Sequence, residues 1–160
     1  MYEWLLTALK QAFREERLLK RSPRGSVHLL RHEAGGQRFV LRRFTGNAEV
    51  YRRLLHCTCR NLPAVYEVAS QGEENLVLEE YIQGDNLGDL LQGALFTVEE
   101  TRSVVDQVCR ALWVLHSLGA VHRDVKPDNI ILRGSEAILI DFDAARLCLL
   151  YTSDAADDTP

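Results

Sequence analysis

The sequence predicts a globular α+β protein with a β-rich first half and a helical second half. The first half alternates short apolar runs with turn residues, which is typical of an antiparallel sheet. The second half contains one long run, 97–118, in which apolar residues recur at helical spacing. Of the 160 residues, 46% are hydrophobic and 26% are charged, a composition that favours a folded domain. We therefore expect two lobes with a cleft between them.

The first half begins with an amphipathic helix over 3–13, where Trp4, Leu5 and Leu9 fall at helical spacing. Turn residues such as Pro23-Arg24-Gly25 then separate the elements that follow. These are predicted strands at 18–19, 26–32 and 37–44, a helix at 48–56, and strands at 64–69 and 76–81.

The second half begins its long helix at a capping box, in which Thr97 and Glu100 satisfy each other's backbone amides. Gly119 marks the end of that helix, since glycine is favoured just beyond a helix C-terminus. Two short buried strands are predicted at 130–132 and 137–140.

Composition excludes several classes of function. The net charge of −4 argues against a nucleic-acid partner, because such proteins are strongly basic. No apolar run is long enough to predict a membrane span, and the first residues do not resemble a signal peptide. The four cysteines show neither disulfide-framework nor zinc-ligand spacing, which favours a reducing, cytoplasmic location.

The most specific segment is VHRDVKPDN at 121–129, followed by DFD at 141–143. It resembles the protein kinase catalytic loop H-R-D-x-x-x-x-N, with DFD standing where D-F-G is expected. The resemblance covers about residues 14–147 and implies a two-lobed α+β protein-kinase-like fold. Residues 1–13 are predicted to be an N-terminal helix that precedes it. Within the resemblance, about 14–82 is a complete small lobe with an antiparallel sheet and one helix, and about 83–147 begins the large lobe.

The resemblance assigns a role to each residue of this segment. Asp124 is the catalytic base, and Lys126 holds the γ-phosphate of ATP. Asn129 and Asp141 hold Mg²⁺, which suits their hard oxygen atoms. Lysine at 126 resembles serine/threonine kinases more than tyrosine kinases. The competing interpretation is that these Asp and Asn residues only cap turns.

The glycine-rich loop that covers the phosphates in the family is weakly represented. Gly25 and Val27 fit its end and are predicted nucleotide-binding residues. Lys20 and Ser22 stand where the first two glycines belong. The competing interpretation is that Gly25 is an ordinary turn residue before a strand.

The strand lysine of the family is replaced by Arg42, which shares a strand face with Val40. We expect Val40 and Arg42 to contact the nucleotide and Glu49, on the following helix, to pair with Arg42. The alternatives are that Arg42 is solvated with Arg43 inward, and that Glu49 is an ordinary surface residue.

The segment 76–84 resembles the last small-lobe strand and the hinge. An ungapped match makes Glu80 and Ile82 the residues whose backbone meets adenine. The same match puts a carboxylate, Glu79, at the gatekeeper position. A carboxylate is unusual there, and the alternative is a match shifted by one residue.

Beyond Arg146 the sequence LCLLYTSDAADDTP has no helical or strand period, and we expect 148–160 to be a non-native or disordered tail. The large lobe is then truncated. We expect the 160-residue chain itself to be inactive and marginally stable, with Val105, Leu112, Leu115 and Ile131 as candidates for exposure.

The favoured function is a bacterial, eukaryotic-like serine/threonine protein kinase that uses ATP and Mg²⁺ and acts on a protein hydroxyl. The alternative enzyme is a small-molecule kinase of the aminoglycoside or choline type, a class that shares an H-x-D…N loop and often has a D-F-D-like motif such as 141–143. Arg123 and Lys126 argue against it. A nucleotide-binding pseudokinase scaffold is a third hypothesis, motivated by Arg42 and the lost glycines.

Overall fold

The first half folds into a five-stranded antiparallel sheet with the spatial order β1-β2-β3-β5-β4. The computed structural model describes residues 1–148, so the predicted tail lies outside the described residues except for Cys148. The strands are β1 Phe13–Ser22, β2 Gly25–His32, β3 Arg38–Thr45, β4 Val65–Gln71 and β5 Glu74–Glu80. Strands β3 and β5 are neighbours although helix α2, Glu49–Leu54, and β4 separate them in sequence.

Helices cover both faces of this sheet. Because side chains alternate along a strand, Leu76 and Leu78 of β5 pack with helix α1, Tyr2–Ala12, whereas Val77 packs in the cluster that contains α2. All three side chains are buried. The strand β5 is therefore apolar on both faces, which explains its nearly continuous hydrophobic sequence.

The second half contains helices α3, Leu87–Leu90, and α4, Val98–Ser117. The predicted capping box opens α4: Thr97 Oγ1 accepts from the Glu100 amide at 3.1 Å, and the Glu100 carboxylate accepts from the Thr97 amide at 2.8 Å. Short strands complete the half: β6 Asp85–Asn86, β7 Ala120–Val121, β8 Ile130–Arg133, β9 Glu136–Leu139 and β10 Arg146–Leu147. The β7–β10 pair had no counterpart in the sequence prediction.

Buried amides join the two halves. Asn61, which follows α2, donates through Nδ2 to Gln107 Oε1 of α4 at 3.0 Å and to the Ala137 carbonyl at 2.9 Å. Gln107 Oε1 also accepts from the Ala137 amide at 2.9 Å. One apolar cluster runs through both halves beside these bonds. The walls of the cleft are thus fixed relative to each other.

Each predicted helix and strand is present, with changed bounds. Strand β1 is longer than 18–19, and α2 is shorter than 48–56. Val105 is exposed as expected, but Leu115 is completely buried in the shared cluster, so that prediction is wrong. The lobe boundary near 82 stays a prediction. Among the helices of residues 1–148, none has the length and apolar character needed to cross a bilayer.

Candidate active site

A cavity of about 760 Å³ opens between the sheet and the second half. Strands β1, β2, β3 and β5 contribute to one wall, and the 121–129 segment with Asp141 contributes to the other. Nine sequence-predicted site residues line it: Val27, Val40, Arg42, Glu80, Ile82, Asp124, Lys126, Asn129 and Asp141. The strand residues and the polar catalytic segment therefore share one cleft.

Asp124, Lys126 and Asn129 form a compact polar group. A 3-10 turn at Pro127–Asn129 folds the chain back, so that Asn129 Nδ2 donates to the Asp124 carbonyl at 2.9 Å and to its Oδ2 at 3.0 Å. Lys126 Nζ lies 3.4 Å from the same Oδ2. The turn leaves one carboxylate oxygen held by an amide and by a cation.

The buried imidazole of His122 connects this group to the strand that precedes Asp141. Its Nδ1 accepts from the Asp124 amide at 3.2 Å, so Nε2 carries the proton and donates to the Ile140 carbonyl at 3.0 Å. The ring also packs edge-on against Phe142, with centroids 5.5 Å apart. His122 therefore sets the spacing between Asp124 and Asp141.

The two non-glycine residues with positive φ in the described chain both lie at this site. Arg123 has φ +69° and Asp141 has φ +64°. The left-handed region is unfavourable for side chains other than glycine, and such strain clusters at functional sites.

Arg42 is held by Glu79 across the sheet. Arg42 Nε lies 2.6 Å from Glu79 Oε1, and both side chains are buried. The guanidinium also approaches Asp143 Oδ1 at 3.2 Å and Asp141 Oδ1 at 3.7 Å. Within the described residues, Glu79 Oε2 and the nearby buried Tyr51 hydroxyl have no hydrogen-bond partner. The cleft thus contains a buried ion pair whose positive end faces two carboxylates.

Comparison with known proteins agrees with this geometry. The sequence profile described as protein kinase domain matches residues 42–154, which include Arg42, the catalytic segment and Asp141.

This chain belongs to the protein kinase family.

Three bacterial kinases are among the curated relatives of this kinase domain. Serine/threonine-protein kinase D of Synechocystis is 37% identical over 87 residues, which cover 53% of this chain and 17% of the relative. Serine/threonine-protein kinase PknD of Chlamydia trachomatis is 31% identical over 137 residues, which cover 78% of this chain and 14% of the relative. Serine/threonine-protein kinase pkn2 of Myxococcus xanthus is 28% identical and is covered to 15% of its length. The chain thus spans about a sixth of these kinases.

The predicted pairing of Glu49 with Arg42 is wrong. Glu49 is the first residue of α2, and its carboxylate lies 3.7 Å from Arg52 Nη1 and 3.7 Å from Arg53 Nε on the same helix. The α2 side chains that turn inward are Val50, Tyr51 and Leu54. The alternative that Arg42 is solvated and Arg43 points inward is also excluded, because Arg42 is buried and Arg43 is exposed.

Gly25, predicted to bind the nucleotide, does not line the 760 Å³ cleft. It lines an adjoining cavity of about 630 Å³. A side chain here would overlap the backbone carbonyl of Arg43 on β3, so close strand packing accounts for the glycine. Its role toward a nucleotide stays a prediction.

Charge around Asp141 determines its ionisation. Burial raises the pKa of Asp141, but the Arg42 charge and a hydrogen bond from Lys20 outweigh it and lower the pKa to about 2. Burial also raises the pKa of Glu79, and there it outweighs the charge of Arg42, so that the pKa of Glu79 stays above its ordinary value. Asp141 is therefore a carboxylate at any physiological pH.

Sequence reasoning missed two contacts of this kinase site. Lys20 reaches Asp141, and Glu79 replaces Glu49 as the partner of Arg42. Both involve residues far apart in sequence. The available signals were two unusual residues, a lysine at a glycine position and a carboxylate at the gatekeeper position.

The buried pair generates the first prediction. Glu79→Ala should lower the free energy of unfolding by about 3–5 kcal/mol, because it removes the main partner of a buried guanidinium. The double variant Arg42→Met/Glu79→Met should lose much less than the sum of the single changes, since apolar side chains replace a buried ion pair at little net cost. Urea unfolding followed by circular dichroism measures Glu79→Ala, the double variant and the single variants Arg42→Met and Glu79→Met.

Glu49→Ala is the matched control. Its ion pairs are exposed, so its loss should stay below about 1 kcal/mol. A loss as large as that of Glu79→Ala would contradict the assignment of Glu79 as the partner of Arg42.

The second prediction concerns acid stability. The folded pKa of Asp141, about 2, lies below its ordinary 3.8, so its contribution is complete above about pH 5 and disappears as pH falls through the folded pKa. In metal-free buffer, lowering the pH from about 5 to about 2.5 should decrease the free energy of unfolding of both proteins. The decrease should be larger for the unchanged chain than for Asp141→Asn, by about 1–2 kcal/mol. Urea unfolding at each pH measures the difference, and parallel profiles for the two proteins would refute the shift.

Proposed function

We propose that the protein carrying this kinase domain transfers the γ-phosphate of ATP to serine or threonine hydroxyls of proteins. The observation that carries the proposal is the presence of Asp124, Asn129 and Asp141 in one cleft, with Lys126 beside the presumed base. The relatives described above are each named as serine/threonine kinases.

The residues present fit a magnesium ion. The NH₂ group of Asn129 is engaged by Asp124, which leaves its amide oxygen as the ligand atom, and Asp141 offers an ionised carboxylate. Both are hard oxygen donors of the kind that Mg²⁺ prefers. When bound, the ion offsets the negative charge of the phosphates.

The remaining residues bind and orient. Val27, Val40 and Ile82 supply apolar surface for the adenine, beside the hinge backbone of Glu80 and Ile82. Asp124 orients a substrate hydroxyl and accepts its proton, while Lys126 offsets charge on the transferred group.

We further propose that the substrate is a protein, that nucleic acid is not a partner, and that the protein acts in the cytoplasm. The net charge of −4 supports the second statement. The absence of disulfide spacing among the cysteines supports the third.

The alternatives have less support. A small-molecule kinase is not favoured, because the relatives are named as protein kinases. A pseudokinase would more readily have lost one of Asp124, Asn129 and Asp141, and all three are present.

The third prediction tests phosphoryl transfer. The full-length gene product, given γ-labelled ATP, Mg²⁺ and a generic protein substrate, should label serine or threonine. Asp124→Asn should lower kcat by about 10²–10⁴-fold, because it removes the base. Asp106→Asn, an exposed change on α4, should leave kcat unchanged. Label confined to small alcohols would favour the small-molecule kinase, and no turnover would favour the scaffold.

A further inference from the structure

The ammonium of Lys20 spans the cleft from β1 to the Asp141 segment. Its Nζ lies 2.9 Å from Asp141 Oδ2 and 3.1 Å from Asp143 Oδ2. Lys20 thus reaches the carboxylate predicted to hold the metal, from a strand position where the kinase family has a glycine.

An irregularity in β1 accompanies this arrangement. Leu18 pairs with His28, but Lys20 pairs with Val27, so Leu19 is an extra residue on its strand. A bulge of this kind redirects the side chains that follow it. Leu19, Lys20 and Val27 all line the cleft.

Arg42 is poorly placed to take up a new partner. Its side chain is 8% exposed, and its Nε is bound to the buried carboxylate of Glu79. Moving the guanidinium toward a ligand would strand that carboxylate without its cation, which is costly in a buried site.

Lys20 has the opposite properties. Its side chain is 49% exposed, and of its two partners Asp143 is 44% exposed and Asp141 is 16% exposed. A lysine is a compact charge on a flexible stem with rotatable donors, whereas arginine is a planar fork. Of the two cations beside Asp141, Arg42 and Lys20, it is therefore Lys20 that is free to move with a ligand.

We propose that Lys20, and not Arg42, is the sheet residue whose charge binds the phosphates of the nucleotide, in addition to Lys126 of the catalytic segment. Arg42 is a positioning residue that Glu79 holds against Asp141 and Asp143. This proposal rests on the proposed nucleotide site. On nucleotide binding the ammonium exchanges its carboxylate partners for phosphate oxygens and thereby releases Asp141 Oδ2 as a ligand. The phosphate-binding cation that the kinase family carries on β3 is thus carried on β1 in this chain.

The test compares the affinities of Mg-ATP and adenosine by isothermal titration calorimetry on this chain. Lys20→Met should weaken Mg-ATP binding roughly tenfold to a hundredfold, which is the expected effect of losing a charge-assisted hydrogen bond. Adenosine carries no phosphate, so its affinity should not change. Lys20→Arg should retain most of the Mg-ATP affinity. Arg21→Met, a change of the exposed neighbour on β1, should bind both ligands as the unchanged chain does.

Each outcome decides the proposal. Unchanged or tighter Mg-ATP binding by Lys20→Met would overturn it, because Lys20 would then only occupy the metal ligand. Equal weakening of adenosine and Mg-ATP would overturn it as well, since the effect would not concern phosphate. Failure of the unchanged chain to bind either ligand would instead refute the nucleotide site and the proposal with it.

Discussion

The buried ion pair between Arg42 and Glu79 is the interaction on which the cleft depends. Removing two charges from water is costly, and the cost is offset only by a short, well-oriented contact such as the 2.6 Å bond seen here. Because β3 and β5 are adjacent in the sheet, the sheet itself sets this contact. The guanidinium is therefore fixed beside Asp141 and Asp143 without help from α2, and Glu49 is left to pair with its own helix.

A second constraint aligns the catalytic segment with Asp141. His122 bonds to the Asp124 amide and to the Ile140 carbonyl, so the two chain segments cannot shift independently. Arg123 and Asp141 adopt left-handed backbone on either side of this bridge. The strain is sustained because the buried imidazole and Phe142 pack into the core that both halves share. Sheet and catalytic segment thus present charge to one cavity from opposite walls.

The sequence predicted the features that are local or periodic. The capping box of α4, the inward face of Val40 and Arg42, and the 121–129 segment each depend on residues close in sequence. Prediction failed where partners are distant. Arg42 and Glu79 are 37 positions apart, and Lys20 reaches Asp141 through a bulge that strand alternation cannot reveal. Glu49 was misassigned because the helix begins at that residue, which turns its side chain toward Arg52 and Arg53.

The central claim is that this kinase holds its strand cation through the neighbouring strand and not through the helix. The most direct measurement is a crystal structure of the chain with Mn²⁺ and a non-hydrolysable ATP analogue, in which anomalous scattering locates the metal. The account predicts metal density between Asp141 and Asn129, with the Arg42 guanidinium still bound to Glu79. A guanidinium that has turned to Glu49 and left Glu79 would contradict it.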